Sequence, residues 1–231
     1  MAASSFNGFP TETLKFLRQL KRNNNRDWFQ KNKARYEAAF IEPSLAFIAA
    51  MDAPLKKISP SFTAIPKKTG GSLMRIYRDS RFSKDKTPYK TNIGIHFRHE
   101  TGCSVHAPGF YLHIEPGSVF LGVGIWHPES KPLLKIRQTI SEKSDDWKKV
   151  RDNRAFRRHY ELSGDSLKRP PQGFSADDSM IDDLKRKDFI GVCELDEAAI
   201  HEKSFVKDAT AIFRSASPLA RFLCEAVDVA F

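Results

Sequence analysis

Between residues 93 and 126, apolar side chains recur at every second position, a period that excludes an all-helical fold. Ile93, Ile95 and Phe97 alternate with His96 and Arg98. Phe110, Leu112 and Ile114 alternate with Tyr111, His113 and Glu115, and Val119, Leu121, Val123 and Ile125 with Phe120, Gly122, Gly124 and Trp126. Successive side chains of a strand point to opposite faces, so each run predicts one core face and one polar face. Glu115-Pro116-Gly117-Ser118 predicts a tight turn of type II that joins the last two runs into a hairpin. A two-residue turn fixes the register, with Gly122 opposite Tyr111, Gly124 opposite Gly109 and His113 opposite Phe120. Two readings of the polar face stay open. It is either a shallow hollow floored by glycine and rimmed by Tyr111, His113 and Trp126, or a partly solvated face whose glycines mark bulges.

Ser72 to Asp79 alternates in the same way and predicts a further strand, with Met74 and Ile76 on one face and Arg75, Tyr77 and Asp79 on the other. By this parity Arg78 points to the core, and Arg75 shares a face with His113. Phe189 to Leu195 predicts a late strand. Both flanks are helical: Leu14, Phe16, Leu17 and Leu20 follow Pro10 at helical spacing, and Asn23 to Asn25 break that helix. A second helix starts near Asp27 and is interrupted or kinked at Pro43, and a third piece ends near Pro54. After Pro132 a stripe of Leu133, Leu134, Ile136 and Ile140 returns to helix, and 206–231 is helical with a break at Pro218. Lys168 to Phe174, with two prolines and a glycine, is irregular. Helices, then consecutive strands, then helices predict an α+β fold, a single domain over residues 1–231 with a mainly antiparallel sheet.

The chain has 231 residues, enough for a core that needs no disulfide or metal. No run approaches the roughly 20 apolar residues of a membrane helix, and Met1 to Gly8 lack the features of a secretory signal. Cys103, Cys193 and Cys224 are widely spaced with no C-x-x-C, which fits reduced thiols and a cytoplasmic location. Net charge is +10, unevenly spread. Arg75–Lys90 carries a net of +4, Lys131–Arg158 a net of +6, and Asp177–Asp208 a net of −5. A positive field of this kind attracts phosphates, nucleic acid or acidic partners, or it is a solubilising surface whose parts partly neutralise one another.

The densest local signal runs from Arg75 to Thr91, R-I-Y-R-D-S-R-F-S-K-D-K-T-P-Y-K-T. Arginine forks and mobile lysines interleaved with aromatics suit an anion, while Asp79 and Asp85 would orient the cations. The same residues equally suit an Arg/Asp network that pins a long loop to the sheet. The pattern R-x-x-R-D-x-R-F followed by D-K-x-x-Y (Arg75, Arg78, Asp79, Arg81, Phe82, then Asp85, Lys86, Tyr89) resembles the signature of a sparsely distributed, mostly bacterial family, domain of unknown function 2461. The resemblance extends to N-N-x-R-D-W-F (Asn24, Asn25, Asp27, Trp28, Phe29) and to G-F-Y-L-H-I-E-P (Gly109 to Pro116). It also takes in K-R-P-P-x-G-F and Lys187-Asp188-Phe189, and so covers nearly the whole chain. It implies a single domain of this length and assigns no reaction, ligand or catalytic residue.

No P-loop, complete dinucleotide fingerprint or G-x-S-x-G is present. His96, His99, Cys103 and His106 suggest zinc by proximity, but His96 and His99 fall on opposite faces of a continuing strand. His113, Glu115 and His127 mimic an iron triad, yet in the hairpin register His127 lies about 23 Å from His113 at about 3.3 Å per residue. No metal and no cofactor is expected. Two functions remain open. In the first, Arg75, Arg78, Asp79, Arg81, Lys84, Lys86 and Tyr89 hold a phosphorylated small molecule or nucleic acid. Tyr111 and Trp126 stack on a flat group, and His113 with Glu115 supplies acid–base chemistry if any reaction occurs. In the second, the chain is a non-enzymatic interaction module meeting a protein partner or a second copy of itself, and the Arg/Asp motif is structural.

Overall fold

The computed structural model describes residues 6–79, 81, 83–101 and 107–231. Helix α1 (Thr11–Arg22) buries Leu14, Phe16, Leu17 and Leu20. The asparagines then do distinct jobs. Asn23 Nδ2 donates to the Gln19 carbonyl, and the Asn25 side chain accepts from Trp28 N–H to cap α2 (Arg26–Lys31). Of the two outcomes expected at Pro43, an interruption or a kink, the interruption does not occur. α3 (Lys33–Tyr36) passes through a widened π turn (Glu37–Ile41) into α4 (Glu42–Lys56), with Pro43 in the first turn of α4. The wider turn shifts the hydrogen-bond register, so the missing proline N–H falls where no bond is required.

The continuous helix Lys33–Lys56 is long and apolar enough to cross a membrane by length and composition, contrary to the sequence expectation, and half of its apolar 18-residue window is buried in the fold. Phe40, Phe47, Ile48, Met51 and Leu55 are its core contribution.

The sheet contains β1 (Phe62–Thr63), β2 (Ile93–His99), β3 (Gly109–Glu115), β4 (Ser118–Ile125), β5 (Glu161–Ser163) and β6 (Phe189–Leu195). Its order is β1-β2-β3-β4-β6-β5, and every pairing is antiparallel. The hairpin register is the predicted one, Tyr111 opposite Gly122 and His113 opposite Phe120. Gly117 takes the φ of +90° that the third position of a type II turn needs. The alternate apolar residues of β2, β3 and β4 are all buried, and helices pack on that face. α4 does so through Phe47 on Phe97, α5 (Ser144–Arg151) through Trp147 on Phe189, and α6 (Phe205–Ser215) through Phe213 on Phe97 and Phe110. α7 (Ser217–Ala226) follows α6 after a break at Ala216, with Pro218 in its first turn. The fold is α+β, with N-terminal and C-terminal helices on one face of an antiparallel sheet.

Ser72–Asp79 is not a regular strand. It runs antiparallel to 88–96 through two isolated bridges, Leu73 with Ile95 and Tyr77 with Tyr89. Between those bridges the outgoing limb advances four positions and the returning limb six, so two extra residues bulge from the return. The bridge at Leu73 gives that residue the core position and turns Met74 to the opposite face, where its Sδ lies over Gly94 beside the Tyr111 hydroxyl. The predicted pairing of Met74 with Ile76 on one face therefore fails, although Ile76 is buried. Beyond Tyr77 the segment becomes a loop, and Arg78 is bonded within it rather than buried in the core.

Candidate functional site

Three separated stretches meet where the loop returns to the sheet. The Asn24 side chain clasps the Tyr89 backbone from both sides, Nδ2 donating to the carbonyl (2.9 Å) and Oδ1 accepting from N–H (3.1 Å). Phe29 stacks on the Tyr89 ring at 4.1 Å and 17°. Thr91 and Asn92, which lie on the bulging return limb, aim at β3. Thr91 Oγ1 donates to Glu115 (3.0 Å), and Asn92 Nδ2 lies 3.5 Å from His113 Nδ1.

A cleft of about 300 Å³ opens at this junction. Lys21, Arg78 and Lys90 supply its positive charge, and Asn24, Thr87, Thr91 and Asn92 its neutral donors. Asp85 is the carboxylate among its lining residues, and Tyr89 completes the wall. Lys21 reaches Glu115 at 3.3 Å. Arg78 is held by Asp85, by Thr87 Oγ1 (2.8 Å) and by Ser83 Oγ (3.4 Å). Lys90 is half-buried, and its ammonium has no hydrogen-bond or ion-pair partner among the described residues. Burial, with Arg75 nearby, pushes its pKa down.

The sheet face beside the cleft carries a relay set by the strand period. Tyr111, His113 and Glu115 project side by side from β3. The Tyr111 hydroxyl is 3.1 Å from His113 Nδ1, and His113 Nε2 is 3.6 Å from Glu115. Nδ1 thus faces the Tyr111 hydroxyl and the Asn92 amide, and Nε2 faces the carboxylate. Burial lowers the His113 pKa, against the opposing pull of Glu115, and raises the Tyr111 phenol to about 12. The imidazole also stacks on Phe120 at 4.7 Å. At neutral pH this is a neutral, oriented imidazole next to a positive cleft.

The other sequence-singled residues are distributed around this site. Arg81 forms a two-point pair with Asp79 (3.0 and 2.8 Å), holding that carboxyl at about 2. Asp85 is also held at about 2, chiefly by Thr87 N–H and then by Arg78. Arg75, Lys84 and Lys86 are exposed on the loop, and Phe82 lies outside the described residues. Of the glycines expected to floor a hollow, Gly109 is covered by the His96 imidazole and Gly122 lies in ordinary contact with Tyr111.

Trp126 does not join Tyr111. It lies four positions past Gly122, about 13 Å along the strand direction, 63% exposed and against His127. Asp188 is buried beneath that end. It accepts from His127 N–H (2.7 Å) and Asp165 N–H (2.9 Å) and pairs with His127 Nδ1 at 3.0 Å, so this motif acts as a brace.

His96 and His99 do face opposite ways. His99 is buried, with Nε2 on the Ala230 carbonyl and Nδ1 on Thr101, while Cys103 and His106 lie outside the described residues. Among the described residues, no group of three or more acidic, histidine or cysteine side chains is placed to hold a metal ion.

Sequence reasoning missed Lys21, Thr91 and Asn92 as site residues. Lys90 and Asn24 stood in quoted motifs without a role. Asn92 directly precedes β2, one position past the Ile93–Ile114 pair, so the β2–β3 register sets it beside His113 and Glu115, and Thr91 reaches Glu115 from the bulged return limb. A family model described as a conserved hypothetical protein (DUF2461) matches residues 12–222, and the chain belongs to that family. No curated protein and no solved structure matches it.

Proposed function

We propose that this member of the conserved hypothetical family binds a small phosphate-bearing anion in the cleft between the motif loop and β3. Lys90 makes the first charge contact, Arg78 and Lys21 flank it, and Asn24, Thr87, Thr91 and Asn92 donate neutral hydrogen bonds. The observation that carries this reading is the Lys90 ammonium, half-buried in a cleft of donors with no partner among the described residues. Desolvating a cation without a partner is costly, and an anionic ligand removes the cost. At about 300 Å³ the cleft suits a phosphate group with a small appendage rather than a run of nucleotides. Nucleic acid would need several phosphate contacts and a steep salt dependence.

Calorimetric titration with inorganic phosphate and pyrophosphate tests the proposal. Wild type should bind pyrophosphate, and Lys90→Met should lose at least tenfold in affinity with no fall in melting temperature. Equal affinity in the two proteins would refute it. The two-point Arg81–Asp79 pair favours a second reading for its own part of the motif, an internal network that shapes the loop without touching ligand.

A further inference from the structure

The geometry points to Asp85 as a resident competitor for the ligand's phosphoryl group: its carboxylate occupies Arg78 in the free protein, and a phosphate dianion takes its place. This rests on the anion-binding reading of the cleft. Asp85 is the carboxylate within a lining otherwise made of cations, amides, hydroxyls and Tyr89. One of its oxygens accepts Thr87 N–H at 2.9 Å, and the other faces Arg78 Nη1. Its side chain is 53% exposed and that of Arg78 33%, so the pair sits at the cleft mouth in contact with water. Ion pairs in such positions contribute little to stability, and their exchange for another anion costs correspondingly little.

Thr87 Oγ1 and Ser83 Oγ also accept from the guanidinium, at 2.8 and 3.4 Å. The fork therefore stays aimed at the cleft when Asp85 leaves it. A phosphoryl group brings two charges and three acceptor oxygens, enough to engage both the Arg78 fork and the Lys90 ammonium that line the cleft. A carboxylate ligand brings one charge and displaces an equal one, so it gains nothing at Arg78. Asp85 thus sets specificity through a repulsive element, rejecting monoanionic carboxylates that the three cations alone would attract.

Asp85→Asn isolates this role, because the amide oxygen still accepts Thr87 N–H while the charge is gone. Calorimetric titrations of wild type, Asp85→Asn and Arg78→Ala are run with inorganic phosphate, pyrophosphate and acetate at about pH 8, where phosphate is a dianion. Asp85→Asn should bind phosphate and pyrophosphate at least fivefold tighter than wild type, bind acetate measurably, and melt at the wild-type temperature. Arg78→Ala should lose phosphate affinity. Binding of phosphate by Asp85→Asn alone, with wild type silent, would support the same masking role. Weaker phosphate binding by Asp85→Asn would make Asp85 a support of the site and overturn the inference. An unchanged phosphate-to-acetate ratio would overturn it as well. Failure of both wild type and Asp85→Asn to bind phosphate or pyrophosphate would instead bring down the anion-binding reading itself.

Discussion

Replacing His96 by glutamine should remove a large part of the protein's acid sensitivity. The imidazole lies over Gly109, close enough that a Cβ there would come within 2.2 Å of Nε2. Its Nδ1 accepts from Arg98 Nε at 3.3 Å. Burial first, and the Arg98 charge second, lower its pKa from 6.5 to about 4. The unfolded chain takes up a proton near pH 6.5, but the folded protein resists until about 4. Between those values the unfolded state binds more protons, so stability is present above about 6.5 and is lost as pH falls. At about 1.36 kcal/mol per unit, the loss by pH 4.5 is about 2–3 kcal/mol.

Urea unfolding at about pH 7.5 and 4.5 measures this difference directly. Asp79 and Asp85 titrate near 2, and the smaller His113 effect is common to both proteins, so neither obscures the comparison. His96→Gln should lose about 2 kcal/mol less than wild type between the two pH values. Parallel losses would refute the claim that His96 is held neutral on the sheet face.

Three further outcomes follow from the contacts. Asp188→Ala strands the N–H groups of His127 and Asp165 and should cost about 3–5 kcal/mol in chemical denaturation; a loss below about 1 kcal/mol would contradict the brace. Asn24→Ala removes both bonds to the Tyr89 backbone and should cost about 1–3 kcal/mol while weakening pyrophosphate binding in calorimetry. Arg81→Ala breaks an exposed pair two residues apart in sequence, so melting temperature and pyrophosphate affinity should both stay at wild-type values.

The β2–β4 sheet was legible because a period of two and a Pro-Gly turn leave one register that buries every alternate apolar residue. Nothing comparable constrains Ser72–Asp79. Its alternation is that of a strand, yet Leu73, bridged to Ile95, takes the core position, so Met74 falls on the polar face, and beyond Tyr77 the segment is a loop in which Arg78 finds its partners. Pro43 misled for a different reason. A proline forbids one hydrogen bond, and a wider preceding turn can make that bond unnecessary. Of the candidate site, Arg78, Asp85, Tyr89, His113 and Glu115 belonged to visible motifs. Lys21 reaches it only through tertiary placement, from the end of α1, and Asn92 through the pairing of β2 with β3. The pairing of arginines with carboxylates was foreseeable in kind but not in partner, since Asp79 binds Arg81 rather than its strand neighbour Arg75.

The most direct test of the central claim is an amide-resolved NMR titration with pyrophosphate. Shifts should concentrate on Asn24, Thr87, Lys90, Thr91 and Asn92 and extend to His113, with Trp126, His127 and Asp188 unmoved and Lys90→Met abolishing the response. Saturable shifts centred on the Trp126 end, or none anywhere at millimolar ligand, would contradict an anion site in this cleft.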